Sequence, residues 1–418
     1  MRDYDVGMTS GHAAPAISTV EDISVGRLMA AVDDLHPEGA AALGATRIVR
    51  APGRINIIGE HTDYNDGLVL PAAIDLELRI AYRPTDDLTA TLTLLATGQQ
   101  GSVRLDDLGP RHGDWRDYLA GVAWALGSDG RRVQGFDGVL DSTLPIGAGL
   151  ASSAALELAF AWALSGHLAP APDGRDLAVL CQRAENDYVG VRCGLMDQYA
   201  AANGVRGAAI LLDCRTQEHR VVPLPDELAL IVAHTGMPRR LDASAYNERR
   251  AECQRAASSI ARLESSVRSL RDVDEAMLER HRDVVDPVAY QRALHVIREN
   301  ARVTATAAAL ASGDLETVGR LMVASHVSLR DRFEVSSPEL DAMVEIATAT
   351  HGVLGARMTG AGFGGCTLTL VHAGSAEALM ARLRSEYSAR TGLVATVWAV
   401  RAVDGAGVVE TAVGGQSA

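Results

Sequence analysis

A chain of 418 residues, 47% hydrophobic and with a net charge of −14, has the length for two domains and the composition of a packed globular protein. The acidic balance argues against nucleic acid or an anionic membrane as a partner, and no apolar run reaches the about 18 residues that a spanning helix needs. Every one of the 39 Lys+Arg positions is arginine, which excludes Schiff-base chemistry and a Walker-type lysine; phosphate must be held by backbone N–H groups, arginine and metal. In chain order, residues 1–44 form a polar, alanine-rich N-terminal extension with one helix near Val25–Leu35, and no secretory signal is visible in it. From 45 to 223, strand-like runs at 47–49, 76–82, 90–95 and 208–212 alternate with helical segments, as in a mixed α/β lobe. A boundary falls at 223–227. The second lobe, 224–403, is mainly helical over 242–350 and then alternates strand and helix at 356–359, 366–371, 375–387 and 394–399. Residues 404–418 read as a flexible tail. The five cysteines form no Cys-x-x-Cys pair and are odd in number, so they read as buried thiols of a cytoplasmic protein, with neither disulfides nor a cysteine metal site.

Four segments carry chemistry. Residues 52–65, Pro-Gly-Arg-Ile-Asn-Ile-Ile-Gly-Glu-His-Thr-Asp-Tyr-Asn, crowd Arg54, Glu60, His61 and Asp63 into ten positions. The isoleucines at strand spacing would deliver this cluster to the end of a buried strand, where carboxylates and imidazole can accept hydrogen bonds from hydroxyls; solvated charges at a strand end are the alternative. In the second segment, Gly147 and Gly149 permit a tight turn that feeds a helix, which is an anion-binding arrangement. Ser152 and Ser153 there can reach a phosphate, ligate Mg²⁺ or simply cap the helix. In the third, a helix starting near Arg175 turns Leu177, Leu180, Cys181, Ala184 and Tyr188 inward, with Glu185 at the margin of that face. Asp197 follows the turn at Gly194 and sits at a helix start, where a carboxylate is favoured. The fourth, 355–366, places Gly360, Gly362, Gly364 and Gly365 between two strand-like runs. No helix follows, so it is not a dinucleotide fingerprint. It can approach a phosphate or a neighbouring loop, or be a plain hairpin.

Together these segments resemble the galactokinases, of the superfamily shared with homoserine, mevalonate and phosphomevalonate kinases. Residues 52–65 resemble the galactokinase signature, 145–154 the phosphate loop Pro-x-Gly-x-Gly-Leu-x-Ser-Ser-Ala, and 355–366 the third, glycine-rich superfamily motif. The resemblance implies an α/β (α+β), two-lobed small-molecule kinase fold, with a mixed N-terminal lobe carrying the phosphate loop and a ferredoxin-like C-terminal lobe with extra helices. It implies ATP-dependent phosphorylation of the anomeric hydroxyl of galactose to α-D-galactose 1-phosphate, by a monomer. By the same resemblance, Glu60, His61, Thr62 and Asp63 hold sugar hydroxyls, Gly194 lines the pocket and Tyr246 closes it from the second lobe. Asp197 contacts the reacting hydroxyl with Arg54 beside it, either accepting its proton late or orienting it. Gly147, Ala148, Gly149, Leu150, Ala151, Ser152 and Ser153 wrap the nucleotide phosphates, and Ser153 and Glu185 ligate Mg²⁺. The chain departs from the pattern at Asp66, His234 and Ala245, near the expected pocket, and at Ser337, which reads as structural. The first three leave open a related sugar such as galacturonate, arabinose or N-acetylgalactosamine. A uronate would need a pocket arginine, for which Arg239 and Arg240 are candidates. A non-catalytic sugar sensor is a further alternative.

Overall fold

The computed structural model describes residues 22–35, 45–145, 147–165, 173–237 and 243–409. A six-stranded sheet takes Gly407–Val408, Arg47–Asn56, Pro71–Pro84, Phe136–Ser142, Thr89–Leu94 and Gln100–Arg104 in that spatial order. Its pairings are antiparallel except that between Phe136–Ser142 and Thr89–Leu94. The strands Arg47–Asn56 and Pro71–Pro84 are buried along most of their length, Arg54, Glu77 and Arg83 included. Pro52 and Gly53 break the register between them, a bulge that re-aims the strand. A side chain at Gly53 would meet Leu144 at 2.4 Å and the Leu150 carbonyl at 2.7 Å, so glycine there lets the strand lie against the phosphate loop. The helix Ser152–Leu164 is apolar on every side and almost wholly buried, the pattern of a core helix.

The second lobe is built on the antiparallel strands Val353–Thr359, Cys366–His372, Leu228–His234 and Thr396–Val400, in that order. Strand alternation divides its two faces. Ala229, Ile231 and Ala233 pack under the helices Pro338–Thr348 and Ala376–Thr391. Leu230 and Val232 point the other way, into a core shared with the first lobe. The helices Ala243–Ala261, Pro287–Ser312 and Leu315–Ser328 are the added layer. Asp286 caps the long one, with proline at its first position and Gly313 ending it in a left-handed turn, as local propensity dictates.

One expectation is corrected. Residues 404–409 are not a loose tail. Gly407 and Val408 pair with Arg50 and Val49, the Ala406 N–H donates to the Ala201 carbonyl, and the Val409 N–H donates to that of Ile48. The segment returns to the first lobe as an edge strand, too short and too rich in glycine to show strand periodicity. Residues 410–418, 1–21 and 36–44 lie outside the described residues. The helix Val25–Leu35 packs Leu28 and Val32 against Ile48, Ala81 and Val139 of the first sheet. Among the described residues no helix is long and apolar enough to cross a membrane.

Candidate active site

The bulged strand carries Arg54 into the space between the lobes. Its guanidinium donates from Nε to Asp197 Oδ1 at 2.9 Å and from Nη2 to Oδ2 at 2.8 Å, while Nη1 donates to the Gly149 carbonyl at 2.5 Å. Such a two-pronged charge-assisted pair fixes direction as well as distance. Arg54 is buried, whereas the Asp197 side chain keeps 28% of its surface open. One arginine thus joins the first motif, the phosphate loop and the helix Met196–Asn203, in whose first turn Asp197 lies.

The phosphate loop turns through Gly147 and Gly149 at φ 72° and 79°, and Ala151 adopts φ 61° as the residue before the helix. No side chain caps that helix, so the serines are not there as caps. The Ser153 side chain instead stands by the Glu185 carboxyl, where it opposes the rise that burial imposes. Glu185 sits on a π-turn, Ala184–Val189, that widens the end of its helix, a device frequent at functional sites. The third motif packs on the same loop: side chains at Gly360 and Gly365 would stand 2.7 Å and 2.9 Å from the Gly149 and Ala148 carbonyls. Its glycines serve close approach to a neighbouring loop.

Glu185 has company that the sequence reading missed. Gln198 Nε2 donates to Glu185 Oε2 at 2.6 Å and to Glu157 Oε2 at 3.1 Å. Burial pushes both carboxyls up from their ordinary range, and each is raised further by a neighbouring carboxylate. Glu157 Oε1 and Gln198 Oε1 are buried without a hydrogen-bond partner. Two crowded carboxyls, with one orphaned carboxyl oxygen on Glu157 and one orphaned amide oxygen on Gln198, suit a hard divalent cation with oxygen ligands. The signal was a glutamate inside the otherwise apolar run Ala-Ala-Leu-Glu-Leu-Ala.

Asp63 opens on the same space. A side chain at Gly194 would stand 1.9 Å from Asp63 Oδ2, so glycine is required there. Burial and then the Asp197 carboxylate push Asp63 up to about 7. The Tyr246 ring stands 5.5 Å from Tyr64 and 5.8 Å from His61, and His61 packs 4.6 Å from Phe333. His61, at φ 63°, has Nδ1 2.8 Å from the Tyr64 hydroxyl and Nε2 3.2 Å from the Ala361 carbonyl. The carbonyl can only accept, so Nε2 carries the proton.

Glu60 and Thr62 face inward. Glu60 accepts from the Gly360 N–H and from Asn56 Nδ2, both at 2.8 Å, with Arg357 Nη1 at 3.5 Å. The Thr62 hydroxyl is spent on the Gly59 and Leu68 carbonyls, and no part of it is exposed. The structure therefore does not bring Thr62 to the pocket; it shapes the loop. Of the departures, Asp66 pairs with Arg215, His234 accepts from the Gly236 N–H, and Ser337 caps the helix that follows it. Arg239 and Arg240 lie outside the described residues.

The chain matches the galactokinase galactose-binding signature over residues 40–84, the N-terminal domain of the GHMP kinases over 117–205 and their C-terminal domain over 306–389. It is 44% identical to the galactokinase of Roseiflexus sp. (strain RS-1) over 87% of this chain and 93% of that one. It belongs to the galactokinase family. The galactokinase of Chloroflexus aurantiacus is 43% identical over 83% of this chain and 89% of its own. The crystal structure of Lactococcus lactis galactokinase complexed with galactose superposes with a TM-score of 0.86 at 33% identity, covering 91% of this chain and 99% of that one. Methanococcus jannaschii mevalonate kinase, at 19% identity and a TM-score of 0.60 over 86% of this chain and 99% of its own, shares the fold. The galactokinase signature spans the bulged strand and the inward-turned loop, and the GHMP N-terminal domain spans the phosphate loop, Glu185 and Asp197.

Proposed function

We propose that this chain transfers the γ-phosphoryl group of ATP to the anomeric hydroxyl of galactose. The observation that carries the reading is the Arg54 guanidinium, which holds Asp197 on one side and the Gly149 carbonyl of the phosphate loop on the other. A carboxylate at the acceptor hydroxyl is thereby set at a fixed distance from the donor phosphates. Phosphoryl transfer has a loose transition state, so positioning and charge neutralisation supply most of the catalysis. Asp197 orients the acceptor hydroxyl and takes its proton late, and Arg54 places positive charge beside the transferring group. The loop from Gly147 to Ser153 wraps the phosphates with backbone N–H groups at a helix start. Ser153 and Glu185 would hold Mg²⁺, with Ser152 in reserve; when bound, the ion neutralises charge on the phosphate oxygens. Asp63 accepts from sugar hydroxyls, Gly194 leaves room for it, and Tyr246 and His61 wall the pocket. Glu60 holds the end of the strand, its carboxylate bonded to the Gly360 N–H and the Asn56 amide.

The test is ADP release with Mg-ATP across galactose, galacturonate, arabinose, N-acetylgalactosamine and glucose. Turnover should favour galactose and vanish in Asp197→Ala; turnover with a different sugar alone would sink the substrate assignment. The raised Asp63 gives a second expectation. Below about 7 its carboxyl is protonated and offers fewer acceptor sites. The KM for galactose should therefore fall as pH rises through about 7, and Asp63→Asn should flatten that profile. The stability term runs the opposite way. A carboxyl raised in the folded state stabilises at low pH and loses that contribution as pH climbs through the folded value, which melting of the sugar-free protein would register.

A further inference from the structure

A second cavity, of about 360 Å³, opens on the outer face of the added helical layer. Its walls are one face of the helix Pro287–Ser312, with Gln291, Arg298 and Arg302, and the end of Leu315–Ser328 with the π-turn that follows, with Val327, Ser328, Asp331 and Arg332. Three guanidinium groups in one pocket are notable in a chain whose net charge is −14. Their carboxylate partners are accounted for. Arg298 pairs with Glu275 at the rim, Arg302 with buried Glu299, and Asp331 is held by Arg330. Arg332 donates to Gln291 Oε1 at 2.8 Å, and among the described residues no carboxylate forms an ion pair with it. The surplus positive charge of the pocket is therefore on Arg332.

The back wall leads to the sugar loop by two short routes. Arg302 Nε donates to Glu299 Oε2 at 2.7 Å, and Glu299 Oε1 accepts from the Gly59 N–H at 3.0 Å. The Ser328 hydroxyl is 2.8 Å from His295 Nδ1, and His295 Nε2 is 3.2 Å from the Glu60 carbonyl. That carbonyl fixes the proton on Nε2, so Ser328 donates to Nδ1. Glu299 and His295 are fully buried. Both routes end on adjacent residues of the first motif, Gly59 and Glu60.

We propose that this cavity is a second ligand site for a small phosphate monoester, and that its occupancy is relayed to the sugar loop through Glu299 and His295. Clustered guanidinium groups match the geometry of a phosphate, the Gln291 amide N–H₂ can donate to it, and the volume suits a metabolite rather than a polymer. An anion drawing on Arg302 competes with Glu299, and through it with the Gly59 N–H. The relay rests on the galactose reading above; the binding does not.

The experiment is titration calorimetry of the full chain with glycerol 3-phosphate, in saturating Mg-ADP so that the phosphate loop is filled. Binding of one equivalent is expected, weakened at least about tenfold in Arg298→Gln/Arg332→Gln, which removes two charge-assisted contacts. Val327→Asp, at a position already exposed, should weaken it likewise and guards against a misfolded double variant. Saturating glycerol 3-phosphate should shift the galactose KM of the unaltered chain about fivefold, a modest coupling, and leave that of the double variant unmoved. No binding, or equal binding in the variants, overturns the site. Binding lost in the variants with an unmoved galactose KM overturns the relay. Absent galactose turnover would instead count against the function proposed above, since the binding arm still reads.

Discussion

Asp197→Asn should lower kcat with galactose by about 100-fold or more, the scale of a positioned general base, with far less change in the KM for ATP. The amide keeps the shape of the carboxylate, so Arg54 loses a charged partner without losing a neighbour. Of its two bonds to Asp197, at 2.9 Å and 2.8 Å, at most one can be kept by an amide oxygen, because the amide nitrogen is itself a donor. The remaining N–H is left in a buried setting, which adds a cost in positioning to the loss of the proton acceptor. Steady-state rates with a crystal structure or melting curve of the variant separate the two. Near-normal turnover would show that Asp197 neither takes the proton nor orients the hydroxyl.

The second large effect is expected at Arg357, a residue closed off inside the protein. It is fully buried and donates from Nη1 to the Asn56 and Ile57 carbonyls at 3.1 Å and 3.3 Å. It also lies 3.5 Å from Glu60 and 4.0 Å from Glu299. Burial raises Glu60, and the charges of Arg357 and Arg54 oppose that rise. Arg357→Met would leave Glu60 and Glu299 less compensated in a place without water. Breaking a buried pair costs about 3–5 kcal/mol, so the melting temperature should drop markedly. In whatever fraction folds, the KM for galactose should rise about tenfold or more while the KM for ATP stays put, because the strand end bearing Asn56–Glu60 loses its support. Arg357→Lys should recover part of the galactose KM, since an ammonium can meet Glu60 but cannot span both carbonyls. Equal losses in both KM values would mean that Arg357 only stabilises the fold.

How much of this was legible in the sequence differs by residue. Periodicity gave the strands around Leu76–Tyr82 and the helix Val25–Leu35, because buried faces impose their spacing directly. Arg54, Asp197 and Glu185 came together only through the likeness to the galactokinase motifs, since spacing alone left solvated charges and a favoured helix start as alternatives. Arg357, Glu157 and Gln198 were not, although each is polar within an apolar stretch. Their meaning lies in partners distant in the chain, such as the Asn56 carbonyl for Arg357, and spacing carries no information about those. Thr62 failed in the opposite direction: it stands inside the most informative motif, yet its hydroxyl closes the loop on itself. The Gly407–Val408 strand escaped notice because two residues cannot display a period.

That short strand has a bearing on how the enzyme is made. Arg50 reaches the Asp404 carbonyl across 354 positions of sequence, and Val49 finds its edge partner only in Val408. During synthesis the strand that bears Arg54 leaves the ribosome early and waits, with one edge open, for almost the whole remaining chain. Contacts so far apart in sequence are slow to close and leave strand edges exposed meanwhile. A chain cut before residues 401–409 would keep five of the six strands but leave the outer edge of Arg47–Asn56 unpaired, an opening for pairing with other chains.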